Sequence, residues 1–122
     1  MPFQQILREL LDNTPGALGA VFLDREGEAV ELWTERVFDI GADSLRAIGA
    51  YQGVYLSELK RLCERISAGR LQRFIIDFEQ ARVLSCDLKE GYYLVLVIEP
   101  TASEGIAWHR LEECRRNLIS LL

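Results

Sequence analysis

Cysteine, histidine, proline and methionine are all scarce in this sequence, and each scarcity argues against a class of function. Its 122 residues include three cysteines, three prolines, one histidine and one methionine. Cys63, Cys86 and Cys114 are odd in number and widely spaced, with no C-x-x-C, which argues against a disulfide framework or zinc knuckle and fits a reducing cytoplasm. His109 stands alone, so neither H-x-x-x-H nor H-E-x-x-H occurs, and no metal site is expected. The phosphate-loop pattern G-x-x-x-x-G-K-[ST] is missing, and neither Lys60 nor Lys89 is followed by serine or threonine. No apolar run approaches the roughly 20 residues that span a bilayer, so direct membrane insertion is not expected. The opening residues lack a basic stretch followed by an apolar run, so a secretory leader is not expected either. Basic residues are outnumbered 14 to 19 by acidic ones, for a net charge of −5, which makes nucleic acid an unexpected partner. Internal repeats, low-complexity tracts and linkers are also missing.

What is present suits one globular domain over residues 1–122, with 49% hydrophobic and 27% charged residues. Phe3, Ile6, Leu7, Leu10 and Leu11 recur at helical spacing and predict a helix over 2–13, stopped by Asn13-Thr14-Pro15-Gly16. Residues 17–24 and 28–34 read as a hairpin around Asp24-Arg25-Glu26-Gly27, the second strand keeping one solvated face. A proline-free stretch over 39–67 predicts a long helix with the stripe Leu45, Ile48, Tyr51 or Gln52, Tyr55, Leu59, Leu62 and Ile66. Asp39 or Asp43 would cap its start, and Ala68-Gly69 would end it. Three strands follow at 72–79, 82–88 and 92–99, the last apolar almost throughout and therefore expected at the sheet's centre. Thr101 and Glu104 read as a capping box for a closing helix with the stripe Ala107, Leu111, Cys114, Leu118 and Leu121. The order α-β-β-α-β-β-β-α predicts an α/β (α+β) fold. Its sheet would be five-stranded and mainly antiparallel, with the long helix on one face and the terminal helices on the other.

The residues capable of chemistry do not assemble into a catalytic pattern. His109 beside Trp108 reads as a rim histidine, and the cysteines read as small hydrophobes. The carboxylate pairs Glu28/Glu31, Asp77/Glu79 and Glu112/Glu113 read as solvated faces. No catalytic, cofactor-binding or metal residue is therefore predicted. The unusual feature is Gly49-x-x-x-Gly53 within the long helix, since each interior glycine costs about 1 kcal/mol relative to alanine. It admits two readings: a crossing with another helix or chain, with the strip continuing through Leu56 and Lys60, or tight packing of the helix on its own sheet.

These elements carry a resemblance. L-x-x-L-L-D-N-T-P-G-A-L-G-A-V-F-L-D-R-E-G, R-F-I-I-D-F-E-Q-A-R-V-L-S-C-D-L-K-E-G-Y-Y-L-V-L-V-I-E-P and I-A-W-H-R-L, in that element order, resemble the Roadblock (dynein light-chain, longin-related) family, in particular its bacterial MglB-type members. One departure is Gln80-Ala81, where the family commonly has a glycine. The resemblance implies a dimer in which two sheets join edge to edge and two long helices lie together. It also implies a non-catalytic partner of Ras-like small GTPases that shifts a switch-loop population and so modulates nucleotide state or placement. Carried onto this chain, the interface would use Gly49, Gly53, Leu56, Lys60, Phe74, Ile75 and Ile76, and the GTPase contact Asp43, Arg46, Gln52 and Lys60. Two alternatives remain: a pure assembly scaffold without effect on hydrolysis, and a small-molecule-sensing module.

Overall fold

In the computed structural model, residues 2–35 and 42–122 are described. The elements are α1 (Pro2–Asp12), β1 (Ala17–Leu23), β2 (Ala29–Thr34), α2 (Ala42–Arg65), β3 (Arg73–Asp77), β4 (Arg82–Asp87), β5 (Tyr93–Ile98) and α3 (Glu104–Ile119). The expected order holds, and the sheet runs β2-β1-β5-β4-β3 with every neighbouring pair antiparallel.

Pleat alternation splits the buried residues between two cores. Ala20, Phe22, Leu84, Cys86, Leu94, Leu96 and Ile98 point to one face, where Leu7, Leu10 and Leu11 of α1 and Ala107, Leu111, Cys114 and Leu118 of α3 cover them. Val21, Leu23, Val83, Tyr93, Val95 and Val97 point to the other face, where Leu45 and Leu56 of α2 meet them. β5 is buried along its whole length between β1 and β4, as its uninterrupted apolar sequence predicts. Each fully buried leucine here contributes about 2 kcal/mol of transfer free energy.

The element ends follow local chemistry. Thr14 Oγ1 donates to the Leu10 carbonyl at 2.6 Å where α1 stops. Asp24 Oδ1 accepts from the Glu26 and Glu28 amides at 2.9 and 3.0 Å, forming the first hairpin turn. The β3–β4 turn closes without glycine through the Phe78 amide donating to the Ala81 carbonyl at 2.8 Å.

Three end assignments need correction. α3 is capped by Ser103, whose hydroxyl accepts from the Ile106 amide at 3.2 Å, and not by Thr101. The chain is still turning at Thr101, with the Ala102 amide bonded to the Glu99 carbonyl, and Glu104 is turned to Arg82. Asp43 lies inside the first turn of α2, where its carboxylate accepts from Arg46; Asp39 falls outside the described residues. α2 ends at Arg65, with Ser67 taking a left-handed conformation (φ 53°) ahead of Gly69.

Candidate association surface

The inward side of α2 sets Gly49 and Gln52 between two buried leucines, Leu45 and Leu56. A side-chain carbon on Gly49 would lie 2.8 Å from Leu23 and 3.0 Å from Val21, so only glycine lets the helix settle on β1. Gly53 is nearer still: a Cβ there would fall 2.3 Å from the Tyr93 hydroxyl. That hydroxyl donates to the Gly49 carbonyl at 2.9 Å, pinning the ring beneath the helix. Burial, with Asp24 nearby as a lesser cause, pushes the Tyr93 phenol up to about 12. Leu56 completes this buried face, and Gln52 sits beside it accepting a hydrogen bond from the buried Ser85 hydroxyl at 3.1 Å.

The outward side is aromatic and aliphatic. Tyr51 is 64% exposed, Val54 56% and Tyr55 44%. α2 packs chiefly on β1 and β2, so the half of this sheet face toward β3 stays open beside the helix. An apolar cleft of about 340 Å³ lies there, lined by Ile48, Tyr51, Tyr55, Phe78, Val83 and Val97. Phe78, at the end of β3, is 56% exposed. β3 itself is an edge strand, its outer backbone groups unpaired by the sheet. Phe74 packs against the α2-side core and Ile75 against the α1/α3-side core.

Charged groups gather at the far end of β4. Asp87 is buried and accepts from Lys60 at 3.0 Å and Arg70 at 3.3 Å, while its carbonyl accepts from Arg115 at 2.9 Å. Beside it a cavity of about 430 Å³ is bounded by Arg70, Arg73, Asp87, Trp108, Glu112 and Arg115. Arg73 stacks on the Trp108 ring at 4.6 Å. Burial lifts the Cys86 and Cys114 thiols to about 12, which leaves them protonated and poor nucleophiles at neutral pH. His109 is exposed, 3.0 Å from Glu113 one helical turn on. Among the described residues, no group of three or more His, Cys, Asp and Glu side chains is placed to hold a metal ion. No helix among them is long and apolar enough to cross a membrane.

The structure therefore divides the residues singled out from sequence. Phe74, Ile75 and Ile76 lie on an edge strand, half buried. Asp43 and Arg46 are exposed near the start of α2. Gly49, Gly53 and Leu56 require correction. They face their own sheet and form no external ridge, because Tyr93, Leu23 and Val21 occupy the space the glycines leave. Gln52 is also displaced from the surface by its bond to Ser85, and Lys60 is engaged by Asp87. The predicted stripe on α2 is rotated accordingly. Leu45, Gly49, Gln52 and Leu56 point inward, while Tyr51, Tyr55, Leu62 and Ile66 point out. Leu121 of the closing stripe is exposed as well. Sequence reading missed Val54 and Phe78; Val54 follows Gly53 directly, about 100° round the helix and so off the buried face.

No family model and no curated protein matches the sequence, whereas solved structures match its fold closely. The gliding protein MglB from Thermus thermophilus superposes with a TM-score of 0.87 at 20% identity, covering 98% of this chain and 87% of that one. A Roadblock/LC7 domain from Streptomyces avermitilis gives 0.86 at 13% identity, covering 97% and 95%. An MglB with a tetrameric arrangement gives 0.85 at 21% identity, covering 95% and 84%.

Proposed function

From the Roadblock/LC7 fold that this chain has in common with those structures, we propose that it is a dimeric, non-catalytic scaffold. In this reading it binds a Ras-like small GTPase in the cytoplasm and modulates that partner's nucleotide state or placement. One observation carries the proposal: an open β-edge and an outward aromatic helix face adjoin each other, with the apolar cleft between them. An apolar edge left in solution invites uncontrolled pairing, and pairing with a second copy covers it with the same residues from both sides. The tetrameric MglB shows self-association in another chain of this fold.

The sequence resemblance supplies the GTPase class, and the surface supplies a means. Two α2 helices brought together would present a broad composite face, with Asp43 and Arg46 at the exposed beginnings of the helices. Binding there would favour one conformation of the GTPase's switch segments and shift its population. In this reading the chain holds and positions its partner and leaves the chemistry of hydrolysis to the GTPase.

The test has two stages. Light scattering of the purified chain is expected to give twice the protomer mass, with Tyr55→Glu shifting it toward monomer. Single-turnover GTP hydrolysis by a Ras-like GTPase recovered in a pull-down is expected to change rate on addition of the wild type but not of Tyr55→Glu. Binding without any rate change would leave assembly alone as the function. A wild type that stays monomeric at high concentration would remove the composite surface and this reading with it.

A further inference from the structure

Two cavities of this fold set an arginine over a tryptophan, and they differ in charge. Beside α1, Arg8 lies 5.7 Å from the centre of the Trp33 ring. That cavity, of about 480 Å³, also holds Glu9 and Asp12, and the Arg8 guanidinium lies 3.9 Å from the Asp12 carboxylate. An anion entering there meets two carboxylates and one engaged cation. Beside α3, Arg73 lies 4.6 Å from the centre of the Trp108 ring. Its cavity, of about 430 Å³, holds Arg70 and Arg115 as well. The chain has 14 basic residues against 19 acidic ones, so three guanidinium groups converging on one cavity run against the composition.

The fold brings these groups together from three segments. Arg73 pairs with Cys86 across β3 and β4 and so shares its face of the sheet. Trp108, Leu111, Glu112 and Arg115 fall at i, i+3, i+4 and i+7 on one side of α3. Arg70 reaches in from the segment after α2. The acids on the wall are already occupied. Asp87 turns its carboxylate to Lys60 and Arg70, and its carbonyl, not its carboxylate, accepts from Arg115. Glu112 accepts from Arg115 Nη1 at 3.2 Å. Donors are left over. Arg73 makes no side-chain hydrogen bond or ion pair among the described residues. Arg70 uses only Nη2, for Asp87 and the Leu88 carbonyl, and Arg115 uses Nε and Nη1.

We propose that this cavity binds a small phosphate monoester. Arg73, Arg70 and Arg115 take its phosphoryl group, and its organic part lies against Trp108 and Leu111. A guanidinium stacked by its face keeps its in-plane N–H donors for a second partner, and the ring fixes their direction. Several such forks suit a doubly charged group with three acceptor oxygens, whereas a carboxylate is satisfied by one fork. The cavity is larger than a bare phosphate and falls within the size range of small-molecule sites. Leu111 and Cys86, both buried, give it an apolar floor for the remainder of the ligand. This inference goes beyond the scaffold reading and does not rest on it.

Calorimetric titration of the full chain with phenyl phosphate tests the site, with inorganic phosphate and benzoate titrated alongside. Phenyl phosphate is expected to bind about ten-fold more tightly than either, because it alone uses both the guanidinium forks and the apolar floor. In nuclear magnetic resonance spectra the Trp108 indole N–H should move during the titration and the Trp33 indole should not. Arg73→Gln should weaken binding about ten-fold or more, since it removes hydrogen bonds between charged groups. Arg73→Lys should weaken it nearly as much, because an ammonium keeps the charge but loses the planar fork. Arg8→Gln, at the other tryptophan, should leave affinity unchanged. Arg73 and Arg8 are both exposed, and circular dichroism checks that their variants fold.

Each contrary result overturns the proposal at a different point. No heat and no shift with phenyl phosphate up to millimolar concentration removes the site. Benzoate bound as tightly removes the phosphoryl assignment, and inorganic phosphate bound as tightly removes the organic part. Arg73→Lys with wild-type affinity, or Arg8→Gln as damaging as Arg73→Gln, reduces the binding to unspecific charge attraction. A phosphotyrosine peptide bound far more tightly than phenyl phosphate gives the cavity to a modified protein and overturns the small-molecule assignment. Light scattering and GTP hydrolysis read none of these, so the scaffold reading stands or falls separately.

Discussion

Over the middle of α2, between the buried Leu45 and Leu56, the two sides invert the usual relation between side-chain size and burial. Inside, Gly49 and Gly53 meet Leu23, Val21 and Tyr93; outside, Tyr51, Val54 and Tyr55 meet solvent. A helix that saved its largest side chains for its own core would be arranged the other way round. The small inner face brings the helix backbone down to the sheet, and β5 supplies the bulk through Tyr93. The large outer face is free of any duty in the protomer's core. The inner side should therefore govern folding and the outer side association, and the two can be separated by substitution.

The largest effect is expected on the inner side. Gly49→Val should destabilise the protomer by about 3 kcal/mol, read by urea denaturation, because overpacking against two core strands outweighs the gain in helix propensity. Gly53→Ala should lose less, and Tyr93→Phe should relieve part of that loss by removing the nearest atom. A double-mutant cycle would reveal the coupling, and additivity would show that the hydroxyl is not the obstacle.

Asp87→Ala comes next, at about 2 kcal/mol, since it strips Lys60 and Arg70 of a buried acceptor although both cations keep access to water. Ser85→Ala should cost about 1 kcal/mol by leaving the Gln52 oxygen without its donor.

Alkaline pH probes the buried ionisable groups together. Between pH 9 and about 12 the unfolded chain releases the Cys86 and Cys114 protons that the folded chain retains. The folded state then binds more protons, so stability is full below pH 9 and falls as pH rises through that window; Tyr93 joins from pH 10. A Cys86→Ala/Cys114→Ala variant should show a shallower decline above pH 9 in pH-resolved denaturation. Alkylation at pH 8 should likewise spare both thiols until the chain is unfolded.

The smallest effect on protomer stability belongs to the outer side. Tyr51→Glu and Tyr55→Glu should alter it by less than about 0.5 kcal/mol when measured on the monomer. The same variants should shift sedimentation from dimer toward monomer. Loss of protomer stability equal to that of the glycine variants would erase the distinction between the two sides.

The strands were legible because their signals are local. Alternation, apolar runs and turn residues marked every one to within two residues, and the unbroken apolar run Leu94–Ile98 placed β5 at the centre. Helix periodicity marked α1, α2 and α3 as helices, although the start expected for α2 at Asp39 lies outside the described residues. The facing of α2 was not legible, since two apolar stripes lie on that helix and the aromatic one looks like core. Tyr93, far along the chain and delivered from β5, joins Val21 and Leu23 of β1 in making the glycine side the better fit. The cap of α3 was misread by two residues because Thr101 and Ser103 are both competent, and the turn after Pro100 decides between them.

By itself the sequence determined the elements, their order and the class of fold, since propensity, periodicity and turn chemistry act over a few neighbouring residues. The tertiary structure alone decided which face of α2 is core and which charges find partners. It also decided that β2 and β3 are the two edges of the sheet. Those outcomes depend on what distant segments bring to the same place, and close packing accepts only the arrangement that leaves neither overlap nor void.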